Sequence, residues 1–439
     1  MKCSNKHCFN SHRRRFWLLL FPLALSPLAL SAETTDTLSS DSRAAELESP
    51  VEKTQIEEEV TEAAREREKS GEEDPLMQRQ ADRVDRPVEW SDEPNEFNFY
   101  GSARIRYRET DTDSVWGDGG SRVGVSGQWQ YKPFSWVFGR VEAGVNILDQ
   151  IDLLLDRGGS AAGSKFGDTV FLRLAYVGIE TPGNMLTIGK NWSTYYQVTS
   201  FTDRFQGAGG SASGTYNAGT DGGYTGTGRA DGVLQTRVLV DTSEGVLGFK
   251  PFKLNLQIQY GEPIPHIDNV NYKTTVGVSA LLETREDFTA GLAYNHANVD
   301  SADLDVLASS GIDGDATALA LGLRWFSDNW YLGTVVVRLE NHEATDEIIY
   351  FDGMGWEVYA NYRLYKRWWV VGGWNKLTPD SSEVQAGEFK GDYSVVGIRY
   401  SFREFQQLVF ANVRIDSGAA QDGTGLGNIY TIGVRWDFP

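Results

Sequence analysis

The chain is poor in cysteine, in histidine and in long apolar runs, and each shortage removes a class of protein. Its only two cysteines, Cys3 and Cys8, lie ahead of the apolar run Phe16 to Leu30. Arg13, Arg14 and Arg15 precede that run, and Ala29, Ser31 and Ala32 close it. A charged region, an apolar region and a small-residue cleavage site make an export signal over residues 1–32. Pro22 and Pro27 interrupt the run, which is short for a membrane helix. Once the signal is removed no cysteine remains, which excludes disulfides and thiolate chemistry. A lipoprotein needs a Cys just after the apolar run, and none is there. Beyond the signal no stretch has about 18 consecutive apolar residues, so no helix is expected to span a membrane. Only His266, His296 and His342 remain in the mature chain, and all three read as loop or rim positions. No Gly-x-Ser-x-Gly elbow and no metal-ligand spacing accompanies them, so neither an enzyme nor a metal or cofactor site is expected.

Formal net charge is −20. From Glu33 to Glu96 there are 21 acidic and 8 basic residues. Such a chain is not a nucleic-acid binder. Residues 33–95 form a low-aromatic acidic segment punctuated by Pro50, Pro75, Pro87 and Pro94. Its Glu/Arg/Lys/Ala stretch between Ala44 and Ser70 has too few apolar residues for a sustained heptad pattern, and it reads as a disordered or partly helical spacer. In an exported protein this spacer is placed in the periplasm, where it has the opportunity to touch the cell wall.

From Phe97 the texture changes. Strands of period two alternate with clusters of Gly, Asp, Asn and Ser. Sixteen strands are predicted, at 97–109, 121–131, 135–148, 168–180, 184–190, 229–241, 252–261, 271–283, 287–297, 315–326, 329–341, 354–365, 367–377, 389–402, 405–416 and 428–438. The last of these sets Tyr430, Ile432, Val434, Trp436 and Phe438 on one face against Thr431, Gly433, Arg435 and Asp437 on the other. An aromatic face against a charged one fits a strand between lipid and a wet lumen. The strand at 315–326 sets Leu319, Leu321, Leu323 and Trp325 against Ala318, Ala320, Gly322 and Arg324, whose small residues leave lumen space. Trp356, Trp368, Trp369 and Trp374 read as an interfacial girdle. Short connections such as Ser327-Asp328-Asn329 alternate with long polar ones such as 191–228, the outer-membrane pattern of short turns on one rim and long loops on the other. The fold class is therefore all-β, a 16-stranded antiparallel transmembrane β-barrel over residues 96–439. A barrel of 16 to 18 strands leaves an aqueous channel.

The longest connection holds 9 Gly in the 22 residues from Gly207 to Gly228. A loop of this length within a compact domain is usually functional, and in a wide barrel it has room to fold inward. Phe99-Tyr-Gly-Ser-Ala-Arg104, Ser121-Arg-Val-Gly-Val-Ser-Gly127, Phe171-Leu-Arg-Leu-Ala-Tyr-Val-Gly-Ile179, Ile188-Gly-Lys-Asn-Trp192, Phe201-Thr-Asp203 and Gly228-Arg-Ala-Asp-Gly-Val233 stand in an order and spacing that resembles the general diffusion porins of Gram-negative outer membranes. The resemblance covers about residues 97 to 438. It implies a homotrimer in outer-membrane lipid whose third loop folds inward, setting acidic residues against wall arginines. On matching positions the arginines are Arg122, Arg173 and Arg229, and the loop acid is Asp203. Glu142 matches a lumen carboxylate, and Arg104 or Arg106, on the same face, is placed to substitute for a family lysine where this chain has Ser102. Gly207 stands where the family often has a second acid.

Alternation supports inward placement of Arg122 and Arg173 independently, because an arginine facing lipid at mid-depth costs about 2–4 kcal/mol. Arg140 and Arg237 join them as lumen candidates, Arg140 sharing a face with Glu142 and Arg237 with Arg229. The expected function is passive diffusion of ions and small hydrophilic solutes through an outer-membrane channel. A substrate-specific channel on the same barrel and a structural envelope tether are the rival readings.

Overall fold

The computed structural model describes residues 95–147, 170–207, 209–240, 252–284, 287–300, 302–402 and 407–438. The expected signal (1–32), all but the last residue of the expected spacer (33–95) and Pro439 lie outside the described residues. The strands are β1 Asn95–Glu109, β2 Ser114–Asp118, β3 Arg122–Lys132, β4 Ser135–Val145, β5 Val170–Thr181, β6 Asn184–Trp192, β7 Arg229–Val240, β8 Phe252–Tyr260 and β9 Thr274–Glu283. They continue as β10 Phe288–Asn298, β11 Ala316–Phe326, β12 Trp330–Ala344, β13 Tyr350–Tyr365, β14 Trp368–Pro379, β15 Gly391–Phe402, β16 Gln407–Asp416 and β17 Ile429–Phe438. Chain neighbours pair antiparallel, except that β2 and β3 both pair with β1, and β17 returns to β1 in register Gly101↔Phe438 through Glu109↔Tyr430. The ring is closed, so no edge is left to lipid.

Seventeen elements make sixteen staves. β2 pairs with Ile105–Glu109 and β3 with Asn95–Ser102, so both are halves of one stave. Between them the Gly120 and Ser121 amides donate to Asp118 Oδ1 at 2.7 Å, and Ser121 Oγ accepts from the Arg104 amide at 2.8 Å. The sequence reading missed β2, because five residues ending in Gly117-Asp118 carry too little alternation to register.

Outward side chains are apolar and exposed in the predicted phase: Val123, Trp129 and Tyr131 on β3, Leu319, Leu321, Leu323 and Trp325 on β11, Tyr430 to Phe438 on β17. On these three strands the inward ones are polar or small. Trp369 departs from the girdle reading. It is 1% exposed and points inward, with the Arg363 and Arg399 guanidiniums 4.8 and 5.2 Å from its ring, whereas Trp356 and Trp368 do face outward. β16, ambiguous by pattern, turns Leu408 and Phe410 to the buried side.

Tight turns join strands on one rim. Thr181-Pro182-Gly183-Asn184 places Pro then Gly (φ +84°) at its centre, the residues a type II turn requires. The opposite rim carries the long connections, and the third of these, residues 193–228, lies inside the barrel.

Candidate pore constriction

The loop leaves β6 with its base pinned. Ser193 N donates to Gly228 O at 2.8 Å and Ser193 Oγ to Thr227 O at 2.6 Å. A single helical turn, α1 (Tyr196–Thr199), then carries Val198 and Phe201 onto the inner wall, in one apolar cluster with Ala318, Ala320, Val335 and Leu339. The small inward residues do not leave open lumen, as the sequence suggested; the loop occupies that space. A Cβ on Gly355 would stand 1.8 Å from Ala212 O, and one on Gly333 would stand 2.2 Å from Phe201 O. The glycines of β12 and β13 thus admit the loop backbone to the sheet.

That backbone is buried away from β-ladder partners, so its polar groups need others. Inward side chains supply them. Glu357 accepts from Thr202 Oγ1 at 2.5 Å and from the Ala212 amide at 2.7 Å. Glu343 accepts from the Ala218 amide at 2.9 Å, and Asn375 Oδ1 from the Gly210 amide at 3.0 Å. His342 Nε2 donates to Gly214 O at 2.8 Å and Tyr331 OH to Phe201 O at 2.7 Å. At the tip, Asn412 Nδ2 donates to Gln206 O. His342 is fully buried beneath the loop, which corrects its reading as a rim residue. The reason is a bulge between Leu339 and Glu343, with Asn341 at φ +48°, that breaks period two and turns both His342 and Glu343 inward. His266, by contrast, is exposed in a turn, its ring nitrogen 2.7 Å from Ala218 O, and His296 is on β10.

The facing wall is cationic. Arg173 donates Nε to Glu142 Oε1 at 2.8 Å, and Arg140 Nη2 lies 3.0 Å from Glu142 Oε2. Tyr100 OH also reaches Glu142 at 3.1 Å and accepts from Arg140 Nε at 2.5 Å. Arg122, half-buried, adds its field to the same carboxylate. Arg104 donates to Ser102 Oγ at 2.8 Å and stands within the fields of Arg122, Arg173 and Arg435. Arg435 pairs with Asp437 at 2.7 Å. Arg229 pairs with Asp221 of the loop at 3.2 Å, and its guanidinium lies 5.7 Å from the Trp192 ring. Arg237 is set apart from this group, its Nε donating to Asn255 Oδ1 at 2.9 Å.

Asp203 lies on the loop's half-exposed edge and accepts from Tyr196 OH at 2.8 Å and Tyr216 OH at 2.7 Å. The Tyr216 hydroxyl on this edge lies within the fields of Arg229 and Arg173. Burial first, and then the Asp203 charge, push both hydroxyls well above the ordinary tyrosine range, so they stay protonated and donate. Tyr196 is stacked on Trp192 with centroids 3.9 Å apart. Asp221 is a second loop acid that sequence reasoning did not find. Burial would raise its carboxyl, but Arg229 and Lys190 outweigh burial and hold it below the ordinary carboxylate range. No motif marks Asp221; only the fold brings it to Arg229. Six guanidiniums (Arg104, Arg122, Arg140, Arg173, Arg229, Arg435) and the Lys190 ammonium thus meet five carboxylates (Glu142, Asp203, Asp221, Asp231, Asp437), an excess of two positive charges.

The family model of the Gram-negative porins matches residues 81–403. No curated protein matches the chain. Among solved structures, OmpF of Salmonella typhi, in complex with daunomycin, is 20% identical, covers 80% of this chain and 100% of its own, and superposes with a TM-score of 0.63. The anion-selective porin of Comamonas acidovorans is 13% identical over 78% of this chain and 100% of its own, with a TM-score of 0.55. The trimer form of OmpT of Vibrio cholerae is 16% identical over 79% and 100%, with a TM-score of 0.53. At these identities the likeness is one of fold. The closed barrel, the inward third loop and the family match together place the chain among the Gram-negative porins, as an outer-membrane diffusion channel.

Proposed function

We propose that the gap between Asp203 on the loop and Arg122, Arg173 and Arg229 on the wall is the selectivity filter of this channel, with Arg104, Arg140 and Glu142 completing the charged ring. The observation that carries this is the excess of guanidinium over carboxylate where loop and wall face each other. The chain as a whole is acidic, but local field at the narrowest ring governs permeation. Chloride and small organic anions are therefore favoured over potassium. Opposed charges across the gap orient water and polar solutes, while apolar solutes lose hydration partners and pass slowly. No bond is made or broken, so the protein is a conduit and not an enzyme.

The trimer form recorded for Vibrio OmpT supports a homotrimer here. For residues 33–95 we propose a periplasmic spacer in contact with the cell wall, following a signal removed near residues 31–33; the acidic, proline-punctuated composition supports this.

Reversal potential in a KCl gradient across a planar bilayer tests the filter. Arg173→Gln is expected to move it toward cation preference and Asp203→Asn toward anion preference. Movement in the same direction would remove both residues from the filter, and absence of conductance from folded protein would sink the channel reading. Deleting residues 33–95 is expected to leave conductance intact and to weaken envelope integrity.

A further inference from the structure

Asp203 is held from two limbs of the loop. Tyr196, on α1, donates its hydroxyl to Asp203 Oδ2 at 2.8 Å, and Tyr216, 13 residues beyond Asp203, donates to the same oxygen at 2.7 Å. Both lone-pair sites of Oδ2 are thereby filled, while Oδ1 accepts no hydrogen bond among the described residues. Each phenol is itself fixed. The Tyr196 ring lies on Trp192 with planes 15° apart, and the Arg229 guanidinium lies 5.7 Å from the same indole. Tyr216 is anchored through its next two residues. Asn217 Nδ2 donates to His342 O at 3.3 Å and the Ala218 amide to Glu343 at 2.9 Å, both on β12. From a third side the loop backbone closes on the carboxylate: a Cβ on Gly210 would stand 3.3 Å from Oδ1. Contacts from β6, from β12 and from the loop's own glycine turn therefore converge on one charge.

We propose that Tyr196 and Tyr216 are positioning residues of the selectivity filter, which set how strongly Asp203 counts against the wall arginines; this rests on the filter reading above. An ionised carboxylate has about four lone-pair sites, and the two phenols take those of Oδ2. A potassium ion that sheds part of its water in the gap finds Oδ1 alone, where an uncapped carboxylate offers both oxygens. The two hydroxyl dipoles also point their positive ends at Oδ2, which weakens the negative potential that Asp203 sends into the gap. Chloride, drawn by the arginines, is repelled less than an uncapped Asp203 would repel it. The phenols thus tilt the filter further toward anions while keeping the carboxylate in one place.

The test removes the hydroxyls and keeps the rings. Tyr196→Phe, Tyr216→Phe and the double variant are compared with the wild-type protein by reversal potential in a KCl gradient across a planar bilayer. Each single substitution is expected to lower the chloride-to-potassium permeability ratio about 1.5-fold and the double variant about twofold, less than a whole unit charge would, because only part of one is unmasked. In an Asp203→Asn chain the same pair of substitutions is expected to move the ratio by less than about 1.2-fold, since the carboxylate they act through is gone. A double variant with the wild-type ratio overturns the proposal. So does a shift of equal size in the Asp203→Asn background, which would make the two tyrosines merely structural. If Tyr196→Phe disturbs the Trp192 stack and the barrel does not assemble, Tyr216→Phe decides alone. A ratio that Asp203→Asn leaves unmoved sinks the filter reading; a ratio moved by Asp203→Asn and by neither tyrosine sinks this inference only.

Discussion

Glu357 on β13 and Glu142 on β4 are both inward carboxylates, 0% and 2% exposed, on opposite walls of one barrel. Glu357 spends its oxygens on loop groups, the Ala212 amide and the Thr202 hydroxyl. Glu142 spends its oxygens on wall side chains, Arg173, Arg140 and Tyr100. The two sites differ in what crosses in front of them. Buried backbone crosses before Glu357 and makes it an anchor. Before Glu142 stand the arginines of the proposed filter, Arg173 and Arg140, to which it is paired, so on that proposal it sets their balance. Equal burial therefore does not mean equal surroundings: one carboxylate holds the loop, and the other holds the arginines of the proposed filter.

The sharpest way to break this comparison is Glu357→Ala. It strands the Ala212 amide and the Thr202 hydroxyl, and a buried polar group left unpaired costs about 1–3 kcal/mol. Unfolding stability is expected to fall by about 3 kcal/mol, read from the heat-induced shift in gel migration, with new protease cleavage in residues 193–228. Gly355→Val comes next. Its side chain occupies the place of Ala212 O, so the loop is expected to lift from β13 and single-channel conductance to rise, by about half if the gap widens by one side chain; unchanged conductance would show that the loop yields without moving.

Glu142→Gln is expected to act on selectivity and hardly on loop anchorage. It adds one uncompensated positive charge, and a unit charge a few ångströms from a permeating ion in a water-like medium is worth about 0.5–1 kcal/mol. The chloride-to-potassium permeability ratio is expected to rise about two- to fivefold, and Arg122→Gln to lower it by a similar factor. A Glu142→Gln channel that loses its loop instead would erase the distinction between the walls.

The smallest expected effect is with pH. Glu262, in the connection after β8, is pushed up to about 7 by partial burial and then by the charge of Asp231, against Lys190. Its proton is therefore held more tightly in the folded protein than in the unfolded chain. The stabilising contribution is complete below the ordinary carboxylate range and is lost as pH rises through about 7. Over the same window the group gains a negative charge, so chloride preference is expected to decline slightly from pH 6 to pH 8. Glu262→Gln is expected to flatten that slope; an unaltered slope would assign it to another group.

Strand positions and facing were legible in the sequence because a strand between lipid and water obeys period two, and β11 and β17 obey it without interruption. The reading failed where that period breaks or where burial has another cause. Bulging at Asn341 turned His342 inward, and Trp369 points inward between two guanidiniums although its type suggested the girdle. Arg122, Arg173 and Arg229 were found because charge cannot face lipid. Asp221, Tyr196 and Tyr216 were not found, because nothing local distinguishes one loop residue from the next.

Alternation and the cost of charge in lipid act residue by residue, so the closed antiparallel barrel with an apolar exterior is already written in the chain. The tertiary structure alone decided where residues 193–228 lie, which inward carboxylates become anchors, and which loop acids meet which arginines. The anchoring contacts span more than a hundred residues, as Ala212 with Glu357 does, and even Asp221 and Arg229, eight residues apart, meet only because the loop turns back between them, so no local pattern encodes either.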